Sequence, residues 1–346
     1  MLVLIAAAPA AQRKQKKNAA PAAPPSGPSL HPKLVPGEVM RYQVEFQTTS
    51  DTKAGGTVAD PEGPSRVVIT WNAKVRLEVL AGQDNTKPGT QRLRTTYEQS
   101  SASVQSDSPD PQTDAIIKQY QQLEGHSIEF TLAADGSVTA VTGLESLQYD
   151  QSAVNAAQQW MSQLSAGGSL PSAGVSPGMT WSSEQNADSL PLAGLAWRTD
   201  STYLRNESCA RALPASSASN QPDDTCAVIL MSLTLSSPRA KGDATPDDFK
   251  RNGLQSSGRW TGSGDSLSYV SLRTGWVVSA SQTSTQDLDV NITSALGANV
   301  RYAGTVATHS QISLLPPDSP AAPAPPAESS SHTPPPSSVP VAPQPR

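Results

Sequence analysis

The chain has 346 residues, with 30 Asp and Glu against 25 Lys and Arg, a net charge of −5. That mild acidity, with the cations scattered after one run near the N-terminus, argues against a nucleic-acid partner. Only 36% of residues are hydrophobic and 5% aromatic, which suits one-sided sheets flanked by low-complexity ends better than a fully buried core.

The chain opens with MLVLIAAAPAAQRKQKK. Leu2 to Ala10 is apolar and ends in small residues, and Ala8-Pro9-Ala10 has the A-x-A form of a cleavage site, so residues 1–12 are expected to be a secretory signal. The run is too short for a membrane span, which needs about 18 apolar residues. No cysteine follows it to carry a lipid anchor. Residues 13–33 are rich in Ala and Pro and are expected to be a disordered linker.

From Leu34 to Leu315 the chain reads almost wholly as strands. Residues 38–48, 65–80 and 91–105 alternate polar and apolar side chains with the period of two that a half-buried strand requires. Residues 113–125 predict a helix, with Ile116, Ile117, Tyr120 and Leu123 at helical spacing. Thr113 or Asp114 caps its start and Gly125 stops it. In SIEFTLAADGSVTAVTGLESL (127–147) two alternating runs flank Asp135-Gly136, the signal of a hairpin with a two-residue turn. That turn would place Phe130 opposite Val141 and Leu132 opposite Thr139, with Ile128, Phe130, Leu132 and Val141 on one face. Residues 150–168 predict a second helix, with Val154, Ala157, Trp160, Met161 and Leu164 along one side.

The second half repeats the opening of the first. Pro36-Gly37 precedes a strand carrying Tyr42, and Pro177-Gly178 precedes one carrying Trp181. Strands follow at 175–185, 195–209 and 226–236, then a short and a long strand over 267–292 around Thr274-Gly275, and a last strand at 299–315. The expected fold is mainly β, a β-rich α+β arrangement of curved antiparallel sheets. It would comprise two pseudo-repeated halves, 34–168 and 169–315, with two short helices between or across them. Cys209 and Cys226 stand at the two ends of a polar, breaker-rich loop. That placement favours a disulfide over two free thiols, worth about 3 kcal/mol for a loop of this size. No other Cys or His sits at metal-ligand spacing. Residues 316–346 hold 12 prolines in 31 positions, the composition of a disordered, extended tail.

QLEGHSIEFTLAADGSVTAVTGLESL resembles the signature of a family of secreted bacterial β-rich proteins classed as a domain of unknown function. The matching positions are Leu123, Gly125, Gly136, Val138, Val141, Gly143 and Leu147. The Pro-Gly opening and the late Thr-Gly turn are also similar, so the resemblance covers most of 34–315. The long Pro-rich tail and the Cys209–Cys226 loop depart from it. The resemblance implies an envelope location and a curved β-rich fold. It implies no activity and carries over no catalytic or binding residue.

Signs of chemistry are few. His31 and His332 fall in the tails, and His126 and His309 read as surface strand histidines. G-x-S-x-G, H-E-x-x-H, a Walker loop and a dinucleotide fingerprint are all absent. Asp287 and Asp289 share one strand face and read as a solvated edge rather than a calcium or acid–base pair. The six tryptophans, Trp71, Trp160, Trp181, Trp197, Trp260 and Trp276, read as core anchors, some of which could line an apolar groove. Asn206 and Asn291 match the glycosylation sequon by chance. No catalytic residue, metal or cofactor is expected. The expected function is that of a non-enzymatic exported protein, periplasmic or extracellular, binding a lipid or other apolar ligand on a concave sheet face. The alternative is an envelope structural or interaction module that reaches a partner protein through its Pro-rich tail. A hydrolase would need His126 or His309 beside a nucleophile in a cleft.

Overall fold

The computed structural model describes residues 27, 30–57, 66–81, 91–109, 113–132, 138–143, 170–171, 174–187, 190–213, 224–236 and 243–316. The expected signal segment, the Asp135-Gly136 turn, the helix over 150–168 with Trp160, and the Pro-rich tail with His332 lie outside them. The chain divides into a unit Met1–Pro316 and a unit Pro317–Arg346; all the described strands and helices belong to the first.

Eleven strands form one sheet. They are β1 (Val39–Gly55), β2 (Arg66–Val79), β3 (Gln91–Ser106), β4 (Ser127–Leu132), β5 (Val138–Thr142), β6 (Thr180–Asn186), β7 (Ala196–Ser208), β8 (Thr225–Ser236), β9 (Leu254–Ser271), β10 (Val277–Ser294) and β11 (Asn299–Leu314). The order across the sheet is β5-β4-β3-β2-β1-β11-β10-β9-β8-β7-β6. Every pairing is antiparallel, and only β1 with β11 joins strands distant in sequence. That pairing stitches two meanders together at the middle of the sheet, where Val44 lies opposite Ile312 and Thr48 opposite Thr308.

Each meander starts from the same device. Pro36-Gly37 forms a turn in which the Glu38 N–H donates to the Val35 carbonyl at 2.9 Å, with Gly37 at φ +85°. Pro177-Gly178 does the same: the Met179 N–H donates to Ser176 at 3.0 Å, with Gly178 at φ +88°. Proline at the second position and a positive-φ glycine at the third define a type II turn. Both glycines donate to the second strand of their meander, Gly37 to Val79 of β2 and Gly178 to Tyr203 of β7.

Laid flat, eleven strands would span roughly 48 Å at the usual interstrand spacing, and sheets that wide curl or split. This one wraps. Val141 on edge strand β5 and Trp181 on edge strand β6 pack against one core cluster, which also holds Tyr42, Phe46, Trp71, Tyr203 and Ile229. Among the described residues the two edges do not pair with each other. Two inward-facing glycines let neighbouring backbones come close. At Gly304 of β11 (φ +152°) a Cβ would stand 2.1 Å from the Asp51 carbonyl oxygen, and at Gly258 of β9 (φ +129°) one would stand 2.1 Å from that of Asp289. Only glycine lets neighbouring backbones approach that closely, the usual mark of a tight bend in a strand.

Two short α-helices are described. In α1 (Thr113–Gln121) Ile116 and Tyr120 are buried, and the chain leaves it through Leu123 to Gly125 at φ +81°. The helix is thus shorter than 113–125, because the last turn closes on Gly125 and pairs it with the Tyr97 carbonyl. Helix α2 (Asp247–Arg251), one turn at the start of β9, has no apolar periodicity to announce it.

Two further expectations differ from the structure. The β4–β5 hairpin pairs Leu132 with Val138 and Thr131 with Thr139, one residue out of the register expected from a two-residue turn. A register shift between Glu129 and Thr131 then restores the expected alignment, with Glu129 opposite Thr142. A one-residue bulge of this kind is common in antiparallel pairs. The face assignment survives, with Ile128, Phe130 and Leu132 buried and Val141 against the core. The strand expected to start at 267 starts at Leu254 and runs for 18 residues, its first half hidden by a Ser/Gly-rich composition. Leu30, within the stretch expected to be a linker, is 2% exposed and part of the core.

Candidate functional site

The strand registers assign every paired residue to one of two faces, because side chains alternate along a strand. The inner face carries Tyr42, Val44, Phe46 and Thr48 of β1, then Ile312, Ser310 and Thr308 of β11, Ala280, Gln282, Ser284 and Gln286 of β10, and so outward. Among the described residues, none of the inner positions of β1 (Met40–Ala54), β2, β3, β4 and β6–β11 is Asp, Glu, Lys, Arg or His. The charges face outward. Arg41 pairs with Glu98 at 3.0 Å, Arg94 with Glu129 at 2.8 Å, Arg198 with Asp200 at 2.9 Å and Arg301 with Asp289 at 2.7 Å. The Arg94 hydrogen bond, helped by Arg92, holds the Glu129 carboxyl below its ordinary range. Such exposed pairs add little to stability.

The inner face is not uniform. Toward one end, Trp71 of β2 stacks at a tilt on Tyr97 and Tyr120, with ring centroids 6.2 and 5.8 Å away. Its indole donates to the Ser100 hydroxyl at 2.9 Å, which donates to the Tyr120 carbonyl at 2.6 Å, tying α1 to β2 and β3. Tyr42 is fully buried and donates to the Val277 carbonyl at 3.0 Å. Burial, with a smaller contribution from the charge of Glu38, pushes its phenol far above the ordinary tyrosine value. Toward the other end of the β7–β10 strands a second cluster gathers Leu190, Leu192, Leu195, Leu235, Trp260 and Val290. Here the Trp260 indole donates to Gln286 at 2.9 Å.

Between the two clusters runs a band of small and polar side chains. One rung reads Ser310, Gln282, Ser266, Met231, Ser201, Trp181 from β11 to β6; the next reads Thr308, Ser284, Gly264, Leu233, Thr199, Ser183. Ser310, Ser266, Ser284 and Ser201 are buried. Ser201 Oγ and Trp181 Nε1 are shut off from solvent without a hydrogen-bond partner.

Cys209 lies in a 3-10 turn (Cys209–Ala212) just after β7 and forms a disulfide with Cys226 of β8. Both are buried, beside Leu213, Val278 and Tyr269. The bridge closes the mouth of the β7–β8 connection, away from the small-residue band.

The remaining candidates are scattered. His309 is exposed on the outer face of β11, and His126 is half-buried just ahead of β4. Neither stands beside the other or on the inner face. His31 lies where the N-terminal segment crosses Gly275. Asp287 and Asp289 are both exposed, and the Arg301 hydrogen bonds lower the Asp289 carboxyl. Trp71, Trp260 and Trp276 are buried anchors, while Trp181 and Trp197 are half-buried on the inner face of β6 and β7. A polar pocket of about 310 Å³ beside α2 is lined by Asp243, Thr245, Gln255, Ser256 and Thr293. Its one carboxylate, Asp243, is held low by Thr245 and Lys250. Among the described residues, no group of three or more His, Cys, Asp or Glu could hold a metal ion, and no helix is long and apolar enough to cross a membrane.

The small-residue band is not legible in the sequence, because Ser and Thr alternating with other residues look like a solvated strand face. One signal of it exists: Gly258, Trp260, Gly262 and Gly264 share a single parity, so one face of that segment is glycine and tryptophan.

No protein-family model matches the chain, and no curated protein matches it; the family resemblance of the hairpin thus finds no matching model. Five solved chains match. One, from a structure of lipid–protein interactions in lipovitellin, is 13% identical with a TM-score of 0.34. The alignment covers 84% of this chain and 27% of that one, so the chain spans about a quarter of that protein's length. It is a weak and distant likeness to a β-sheet protein.

Proposed function

We propose that this chain is a non-enzymatic protein of the cell envelope, exported to the periplasm or beyond, that binds an apolar or envelope-derived ligand against its inner sheet face. One observation carries the reading: among the described residues, a wrapped sheet of eleven strands keeps its charges on the outer face and presents an uncharged inner one. General acid–base catalysis most often uses a positioned histidine or carboxylate, and the described inner positions carry neither. A neutral body, by contrast, enters an uncharged interior without stripping water from an ion. Export is supported by the A-x-A segment at the N-terminus and by a buried disulfide, a bond that persists in oxidising compartments.

Native mass spectrometry on protein purified from its own envelope without harsh detergent is the test. A reproducible added mass matching a lipid or glycan is the expected result, together with the loss of the signal segment and of two hydrogens for the disulfide. A bare mass sinks the carrier reading and favours a second one, an interaction module, which the 12 prolines of residues 316–346 suggest as a spacer. Under that second reading, removing residues 317–346 abolishes capture of an envelope partner and leaves folding intact.

A further inference from the structure

We infer that Trp181 and Ser201 together form a subsite for the neutral carbonyl of an otherwise apolar ligand, such as an acyl ester. The inference rests on the proposed binding at the inner face and names the polar part of the ligand. Trp181 of β6 and Ser201 of β7 are directly opposite in register. Their side chains therefore stand side by side on the inner face, with Cβ atoms roughly 5 Å apart. Ser201 is 1% exposed, and both its Oγ and the Trp181 Nε1 are shut off from solvent without a hydrogen-bond partner. Folded proteins seldom leave one such atom unpaired; here two stand next to each other. The indoles of Trp71 and Trp260, on the same face, each have their acceptor at 2.9 Å.

The chemistry of the two groups specifies the missing partner. An indole N–H only donates, and a serine hydroxyl rotates to donate. Two neighbouring donors can be met by a single oxygen with two lone pairs, and a carbonyl supplies that. A carboxylate would also accept both bonds, but no cation lies on the described inner face to balance it, and burying an unpaired charge is far costlier than burying a neutral carbonyl. A neutral ester or amide therefore fits where a free acid does not. The rest of the ligand finds apolar neighbours along the same strands: Met231 follows Ser201 in its rung, and Tyr203 and Ile229 face each other in the next.

The full chain can be tested by energy transfer from its tryptophans to three pyrene probes: 1-butylpyrene, methyl 1-pyrenebutyrate and 1-pyrenebutyrate. The native protein is expected to bind the ester about tenfold more tightly than the hydrocarbon, the size of two modest hydrogen bonds, and more tightly than the acid. Ser201→Ala and Trp181→Phe should each cut that preference about threefold and leave hydrocarbon affinity unchanged. Thermal unfolding of Ser201→Ala, equal to or above that of the native protein, shows that the variant folds, since the substitution removes a hydroxyl that has no partner. Equal binding of ester and hydrocarbon, acid binding as tight as ester binding, or a preference that survives both substitutions overturns the subsite and leaves the inner-face reading standing. Transfer to none of the probes overturns both.

Discussion

Tyr42 shows how a single residue couples the two ends of the chain. It sits on β1, yet its hydroxyl donates to Val277 at the start of β10, two strands away across β11. Its burial raises the phenol above the ordinary value, first by desolvation and then by the charge of Glu38. Below about pH 10 the phenol is neutral both folded and unfolded, so it confers no pH dependence there. Above that pH the unfolded chain releases the proton while the folded chain keeps it. Stability should then fall as pH rises. Urea unfolding between pH 8 and 11 is expected to show that decline, and Tyr42→Phe should flatten the slope by up to one proton at a cost of about 1 kcal/mol at neutral pH for the lost hydrogen bond. An unaltered slope in the variant would mean that other tyrosines, such as Tyr203 and Tyr269, whose values burial also raises, account for the decline.

Among the elements, β9 and β11 each hold a glycine that a side chain could not replace without displacing a neighbouring strand. Their inward glycines stand where a Cβ would press on a neighbouring strand's carbonyl, at 2.1 Å for both Gly258 and Gly304. Neither position permits relief by a side-chain rotation, because the obstructing atom is backbone. Gly304→Ala should therefore lower stability by about 2 kcal/mol or more, read as a lower urea midpoint. A midpoint unchanged from the native protein would show that the bend has another cause. The element that sequence patterning found most easily, the β4–β5 hairpin, sits at an edge of the sheet. Its faces were legible because apolar residues alternate there, but its register was not, because the shift between Glu129 and Thr131 changes the pairing without changing which side chains face inward.

For the whole molecule, the β1–β11 pairing is decisive. It brings Tyr42 beside Leu314 and Gly55 beside Arg301, joining the first and last strands in the centre of the sheet. One core cluster then contains Trp71 and Tyr120 from the first meander and Tyr203, Ile229 and Met231 from the second. The two meanders should consequently unfold together. Native-state hydrogen exchange should find the strongest protection in β1, β11 and β10 and the weakest in the edge strands β5 and β6. Two separate exchange classes that divide at residue 170 would instead establish two independently stable halves. Assembly through a contact between the chain's extremes also implies slow folding, in the millisecond-to-second range typical of such topologies.

By itself the sequence determined the class of fold, most strand positions, the type II turns at Pro36-Gly37 and Pro177-Gly178, and the loop that Cys209 and Cys226 close. These depend on residues close together in the chain: alternation with period two, proline and glycine dihedral preferences, and the spacing of breakers. Only the tertiary structure decided which strand face points inward over β9 and β10, where Ser, Thr, Gly and Gln give no hydrophobic contrast. It also brought Trp181 beside Ser201, 20 residues apart in the sequence, and β1 beside β11. Those juxtapositions arise from register across strands, and a register is fixed by packing of the whole inner face rather than by any local run of residues.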